Sequence, residues 1–213
     1  MYVKVCGITH LDDALHAISV GVDVLGFNFV PESKRYLDFD RARLIIEQVR
    51  GKVLCVAVVA NLTPSAAAAL VGALGVDRLQ LHGDESPEQI RALSPRAFKA
   101  LRVASVGDVE QARAFPGHPL LVDAKVDGQL GGTGTCIDWP LVTSLAAFRP
   151  LILAGGLTPD NVERAVRIVQ PWGVDTASGV EDASDPRRKD PDKVRRFVQA
   201  ARHASQQHHA VQF

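Results

Sequence analysis

A strand-like segment and a helix-like segment alternate eight times along the 213 residues of this chain, and this alternation restricts its fold more than any other feature. The units recur at intervals of roughly 20 to 30 residues, the length of one strand–helix unit. Eight parallel strands can close into a barrel with the helices outside. We therefore predict an α/β fold, a single TIM barrel of the (βα)8 type over residues 1–213. The competing fold is a doubly wound open sheet, which usually has fewer strands and one dominant phosphate turn.

The first of these units predicts where reactive side chains lie. In a strand over residues 3–6, alternation places Lys4 and Cys6 on one face and Val3 and Val5 on the other. Cys6 is therefore expected to face inward at the carboxyl end of the strand. Thr9 followed by Asp12 resembles a capping box at the start of the next helix.

Capping residues also indicate where several of the later helices begin. Asp38 or Asp40 is expected to begin the second helix, Thr63 to cap the third ahead of Pro64, and Ser86 to cap the fourth. The near-continuous apolar run from Val53 to Val59 is typical of a strand covered on both faces. Residues 203–213 carry no apolar spacing and are expected to form a frayed tail.

The charge balance and the cysteines restrict the partners and the compartment. Lys and Arg number 24, and Asp and Glu also number 24, so no excess field favours nucleic acid or an anionic membrane surface. Three cysteines without metal-ligand spacing argue against a disulfide framework or a metal site. The first strand begins almost at Met1, so we expect no signal peptide, and the longest apolar run is far below the ~18 residues of a membrane span. We expect a cytoplasmic protein with a small-molecule partner.

Glycine-rich loops follow the last three strands and point to a phosphate. Residues 125–138 form a long loop with four glycines, Gly155 and Gly156 follow the seventh strand, and Ser178 and Gly179 follow the eighth. Barrels of this type commonly hold phosphate after strands seven and eight, where bare backbone N–H groups approach its oxygens. The simpler alternative is that these glycines only make tight turns.

Cys6 and Asp123 end the first and sixth strands and would face such a ligand from opposite sides. A thiolate can accept a proton and a carboxylic acid can donate one, which suffices to move hydrogen between neighbouring carbons of a sugar. A helix N-terminus or the nearby Lys4 would favour the thiolate. The alternatives are an inert buried thiol at Cys6, a capping role for Asp123, and Asp175 as the working carboxylate.

Six motifs in chain order resemble the phosphoribosylanthranilate isomerase family of tryptophan biosynthesis. They run from the first strand to the last helix. The motifs are residues 3–9 (VKVCGIT), 26–29 (GFNF) with 33–36 (SKRY), 80–83 (QLHG), Asp123 with 131–134 (GGTG) and 138–139 (DW), 154–157 (AGGL) and 178–181 (SGVE). The chain departs from the family pattern at Lys34, at Thr135-Cys136 and at Arg187-Arg188.

The resemblance implies an Amadori rearrangement of N-(5′-phosphoribosyl)anthranilate, with no cofactor and no metal. It implies that Asp123 is the general acid that opens the furanose and that Cys6 is the general base. Arg35 would meet the anthranilate carboxylate; its alternative is a solvated loop charge. The remaining residues expected at the substrate are His82, Gly132, Gly155, Gly156, Asp175, Ser178 and Gly179, with a structural histidine as the alternative at His82.

Three other functions compete with this one. An imidazole-pathway isomerase performs the same rearrangement on a different amine. That family has a pair of aspartates at the ends of strand one and about strand six, whereas strand one of this chain ends at Cys6. A pentose phosphate epimerase would need a His and Asp metal-ligand set, which the sequence does not show. A silent phosphosugar-binding protein with the same fold would bind without turnover. The sequence leaves the oligomeric state open.

Overall fold

Eight parallel strands form a closed barrel in which each strand pairs with the next and the eighth pairs with the first. This computed structural model describes residues 1–124 and 138–210. The strands are β1 (Tyr2–Cys6), β2 (Val24–Asn28), β3 (Leu54–Val59), β4 (Arg78–Leu81), β5 (Ala97–Val103), β6 (Leu120–Ala124), β7 (Leu151–Leu153) and β8 (Gly173–Thr176). The helices are α1 (Leu11–Ser19), α2 (Phe39–Val49), α3 (Pro64–Leu74), α4 (Pro87–Leu93), α5 (Val106–Ala114), α6 (Trp139–Phe148), α7 (Val162–Val169) and α8 (Pro191–Ala210). The predicted (βα)8 barrel is confirmed, and the open sheet is wrong.

The barrel has two apolar layers, as alternation along its strands requires. The larger layer lies between the strands and the helices and includes Val3 and Val5. A smaller cluster fills the barrel interior, with Val24, Phe98 and Ile152 among its members. Side chains of odd and even positions point to opposite faces of a strand. The predicted faces of β1 are therefore correct, because Val3 and Val5 pack outside.

Three of the four predicted helix starts are confirmed by their caps. Asp38 caps α2 by accepting from the Arg41 amide, Thr63 caps α3 ahead of Pro64, and Ser86 forms a capping box with Gln89. The predicted box at Thr9 is wrong. His10 occupies the N-cap of α1 without a side-chain cap, because the Thr9 hydroxyl instead donates to the Arg187 carbonyl of the loop before α8.

Helix α8 corrects the expectation of a tail from residue 203, since it continues to Ala210. Ala204 is buried, and Gln207 accepts a hydrogen bond from Arg167 of α7 at 2.9 Å, so packing against α7 supports these turns. Residues 211–213 lie outside the described ranges. Across those ranges, no helix is both long enough and apolar enough to span a membrane.

Candidate active site

A pocket of about 430 Å³ opens where the carboxyl ends of the barrel strands meet. Residues far apart in sequence converge there, because all strands of a parallel barrel end on the same face. Gly179 is not among the lining residues, and Gly132 lies outside the described residues. The predicted residues that line the pocket are Cys6, Arg35, His82, Asp123, Gly155, Gly156, Asp175 and Ser178.

Cys6 is buried at the end of β1 and faces the pocket. Gly26 of β2 makes room for it, since a Cβ there would lie 2.8 Å from the Cys6 sulfur and 3.1 Å from Lys4 Nζ. Both side chains therefore crowd the same point beside Gly26.

Lys4 and Asp175 form an ion pair inside the barrel. They are register partners on β1 and β8, and Lys4 Nζ lies 2.9 Å from Asp175 Oδ1. Burial lowers the pKa of Lys4, but the charges of Asp175 and Cys6 outweigh burial and raise it above its ordinary value. Lys4 is therefore a permanent cation. Asp175 serves as its counter-ion, although burial raises the pKa of Asp175 above its ordinary value.

Asp123 and His82 face each other at the ends of β6 and just beyond β4. His82 Nε2 lies 3.9 Å from Asp123 Oδ2, and both side chains are buried. The Gln80 amide nitrogen lies 3.4 Å from His82 Nδ1; an amide nitrogen can only donate, so Nδ1 accepts and the ring proton is on Nε2. Burial, followed by the charges of Lys99, Lys4 and Arg102, lowers the pKa of His82 to about 3. The imidazole is therefore neutral at physiological pH.

Arg35 is buried at the pocket mouth, so the alternative of a solvated loop charge is wrong. Its Nε donates to Glu181, while its Nη2 is buried and has no hydrogen-bond partner among the described residues. Lys34 Nζ and Lys189 Nζ lie 3.5 Å and 3.8 Å from the same carboxylate. Three cations thus share one Glu181 carboxylate, which leaves a positive site suited to an anion.

Glu181 and Lys189 are site residues to which the sequence analysis assigned no role. Burial raises the pKa of Glu181, but Arg35, Lys189 and Lys34 outweigh burial and lower it, so Glu181 is ionised. Burial lowers the pKa of Lys189 to about 8, and its Nζ donates to the Ala177 carbonyl at 3.0 Å. No periodic pattern marks either residue. The only sequence signal was the place of Glu181 in the motif after β8.

Two glycine loops meet at the far end of the pocket. Gly155 and Gly156 have φ angles of +84° and +63°, which favour glycine. A Cβ on Gly179 would lie 1.9 Å from the Leu157 carbonyl oxygen, so only glycine allows this approach. The Thr176 hydroxyl donates to the same carbonyl at 2.8 Å. Backbone groups of the two loops are thereby held side by side, as binding of a phosphate requires.

The carboxylates of the pocket are arranged as counter-ions rather than as a ligand set. Asp175 pairs with Lys4, and Glu181 pairs with Arg35. Over residues 1–124 and 138–210, no three His, Cys, Asp or Glu side chains are grouped closely enough to hold a metal ion.

Comparison with known proteins finds relatives that match nearly the whole chain. Residues 3–200 match the family model of N-(5′-phosphoribosyl)anthranilate isomerase. The chain is 46% identical over 206 residues to the N-(5′-phosphoribosyl)anthranilate isomerase of Magnetococcus marinus, covering 95% of each protein. It is 44% identical over 204 residues to the protein of that name from Desulforudis audaxviator, covering 95% of this chain and 98% of the other.

Solved structures of the same family superimpose closely on the barrel. Phosphoribosylanthranilate isomerase from Thermotoga maritima matches with a TM-score of 0.86 and 37% identity, covering 95% of this chain and 99% of that one. A phosphoribosylanthranilate isomerase in complex with reduced 1-(o-carboxyphenylamino)-1-deoxyribulose 5-phosphate matches with a TM-score of 0.83 and 35% identity, with the same coverage.

Proposed function

This chain belongs to the phosphoribosylanthranilate isomerase family, and we propose that Cys6 and Asp123 are the base and the acid of its reaction. The reaction is the Amadori rearrangement of N-(5′-phosphoribosyl)anthranilate to 1-(2-carboxyphenylamino)-1-deoxyribulose 5-phosphate in tryptophan biosynthesis. The observation that carries the proposal is that the pocket brings Cys6 and Asp123 together between a positive mouth and two glycine loops.

The first step opens the furanose. Asp123 donates its proton to the ring oxygen, the bond between C1 and that oxygen breaks, and the amine lone pair forms a C1=N bond. The product is an open-chain Schiff base with a free hydroxyl. The position of Asp123 supports this role, since its buried side chain lines the pocket beside His82 and meets the sugar away from bulk water.

In the second step, the Cys6 thiolate removes the proton from C2. The electrons of that C–H bond form C1=C2, and those of the C1=N bond return to nitrogen, which gives an enol. The enol becomes the ketone when its hydroxyl loses a proton and C1 gains one, so no atom is added or lost overall. The buried ammonium of Lys4 crowds the same point as the sulfur and places a positive charge next to the base.

Arg35 binds the anthranilate carboxylate in this proposal. Its Nε is engaged by Glu181, which fixes the plane of the guanidinium, and its buried Nη2 is available to an anion. A guanidinium recognises a carboxylate by directed, charge-assisted hydrogen bonds. Lys34 adds positive charge at the mouth, and it lies where the chain departs from its family's pattern.

The phosphate binds at the opposite end, on backbone groups of Gly155, Gly156, Ser178 and Gly179. The positive φ angles of Gly155 and Gly156 support this placement, because such turns direct N–H groups toward an anion. A reduced product analogue bound to a family member supports a phosphosugar as the ligand. Gly132 remains part of the proposal from its sequence motif alone.

We further propose that residues 1–213 act as one domain in the cytoplasm, without a nucleic-acid partner. The balanced charge and the continuity of the barrel from β1 to β8 support this assignment.

The test is turnover of freshly made phosphoribosylanthranilate by the purified protein with chelator present. Loss of anthranilate fluorescence is followed against the spontaneous breakdown rate. We expect rapid turnover in the wild type and a loss of at least ~100-fold in kcat for Cys6→Ala and for Asp123→Asn. The matched control is Cys55→Ala, since Cys55 is also a buried thiol but packs in the outer layer. Near-wild-type rates in either site variant would remove that residue from its role.

A further inference from the structure

Lys99 is a buried lysine outside the pocket whose contacts lead directly to His82. It is register partner to Leu81, so its side chain enters the layer between β-barrel and helices, on the opposite side of the sheet from the pocket. Only 2% of the residue is exposed. Its Nζ donates to the Gly83 carbonyl at 2.6 Å and to the Leu81 carbonyl at 3.3 Å. One ammonium thus binds the backbone on both sides of His82.

Glu85 also holds the turn that follows His82 in place. Its carboxylate accepts from Lys99 Nζ at 2.8 Å, from the Gly83 amide at 3.0 Å and from the Asn61 amide at 2.7 Å. The Asn61 side chain in turn accepts from the Asp84 amide at 2.8 Å. The backbone of Gly83 and of Asp84, the two residues after His82, is therefore held by side chains. Such a dense network of buried polar contacts rigidifies the segment that it satisfies.

The charge of Lys99 also acts on the imidazole. After burial, it is the largest contribution to the lowered pKa of His82, and the other charged groups that face the ring are Lys4, Arg102 and Asp123. Neutrality matters for the reaction, because an imidazolium 3.9 Å from Asp123 would favour the carboxylate over the acid that opens the furanose.

We propose that Lys99 is a positioning residue for His82, holding the imidazole so that its Nε2 faces Asp123 and the bound sugar. Lys99 acts from the helix-facing side of the sheet. Its ammonium donates hydrogen bonds to the two carbonyls that flank His82 and places a positive charge near the ring. It touches no reacting atom. This inference rests on the proposed roles of Asp123 and of the pocket.

The test compares Glu85→Gln with Glu85→Gln/Lys99→Met. Glutamine keeps one acceptor oxygen for the backbone amides of Asn61 and Gly83 and removes the negative charge beside Lys99, whereas the double variant also removes the cation without leaving a buried carboxylate unpaired. Histidine labelled with ¹³C and ¹⁵N reports the ring tautomer and protonation, and His82→Asn identifies the resonances. We expect a single Nε2–H tautomer in the wild type and in Glu85→Gln. In the double variant we expect mixed tautomers and a several-fold larger protonated fraction at pH 4.

Turnover supplies the second readout. Relative to Glu85→Gln, kcat of the double variant should fall about tenfold while KM stays within about twofold, because an oriented donor near the reacting atoms is lost. A folded double variant with the Nε2–H tautomer and kcat of Glu85→Gln would overturn the proposal.

A further variant covers failure of the double variant to fold. In Glu85→Gln/Lys99→Gln, an uncharged amide can still donate to the flanking carbonyls; a His82 that resists protonation as in Glu85→Gln would overturn the electrostatic part. The tautomer measurement needs no turnover, so it is separate from failure of the isomerase assignment itself.

Discussion

Replacement of Lys4 by methionine should destabilise the barrel strongly, although Lys4 is a charged residue. Its side chain is completely buried, 2.9 Å from an Asp175 carboxylate that is only 8% exposed. At that separation the attraction is about 6 kcal/mol for an effective dielectric constant of about 20. Loss of one partner of a buried pair typically costs ~3–5 kcal/mol. Because Lys189 and Arg35 also act on Asp175, we expect a loss near ~3 kcal/mol in the free energy of unfolding.

The loss should grow with pH. Without Lys4, burial raises the pKa of Asp175 further above its unfolded value, so the folded variant binds a proton more tightly than the unfolded chain does. Stability gained from that proton is present at low pH and is lost as pH rises, by up to ~1.4 kcal/mol per unit. The difference between Lys4→Met and wild type should therefore be smaller at pH 5 than at pH 7.5.

Urea unfolding followed by circular dichroism measures these differences, with two controls. Lys52→Met removes an exposed lysine and should change stability by less than ~0.5 kcal/mol. Lys4→Met/Asp175→Asn removes both charges and should recover most of the lost stability. Its kcat should remain low, because the cation beside Cys6 is still absent. Equal stabilities of the single and double variants, or a loss independent of pH, would refute a working ion pair.

Three more outcomes follow from the site. Arg35→Ala should raise KM at least ~10-fold with a smaller effect on kcat, because a charge-assisted contact to the substrate is lost. Steady-state kinetics measures both constants. An unchanged KM would mean that Arg35 has a structural role only. Gly179→Ala should raise KM and cost ~1–3 kcal/mol in urea unfolding, since its Cβ meets the Leu157 carbonyl, whereas Gly72→Ala, with open space around it, should not. In the unfolded chain, His82 binds a proton as pH falls below its ordinary pKa of about 6.5. In the folded protein, it binds that proton only as pH approaches about 3. Wild type should therefore lose ~3 kcal/mol through this residue between pH 7.5 and 4.5, so its stability relative to His82→Asn should fall by about that amount, and a constant difference would contradict the argument.

Local sequence signals predicted the elements of this fold and their order. Alternation in β1 correctly separated Lys4 and Cys6 from Val3 and Val5, since a two-residue period leaves no other arrangement of a strand. Caps at Thr63 and Ser86 were readable because a side-chain oxygen and its amide partner lie three residues apart. The prediction of a capping box at Thr9 was wrong because the Thr9 hydroxyl donates to the Arg187 carbonyl of a loop distant in sequence.

These local signals predicted that the site residues lie close together only when the strands were also assumed to form a closed barrel. Cys6, Asp123 and the glycines after β7 and β8 belong to different units, and they meet because parallel strands all end on one face. That assumption, together with the family resemblance that alone supplied Arg35, identified eight residues that line the pocket.

The charged network around these residues depended on tertiary structure. Register between β1 and β8 pairs Lys4 with Asp175 across 171 positions, and loop packing brings Glu181 to Arg35 across 146. Lys99 lies on the face opposite the pocket, where a pattern-based argument predicts only an apolar contact. Pairing of buried charges is set by distance and burial after the chain has closed, so no local pattern of residues could have specified it.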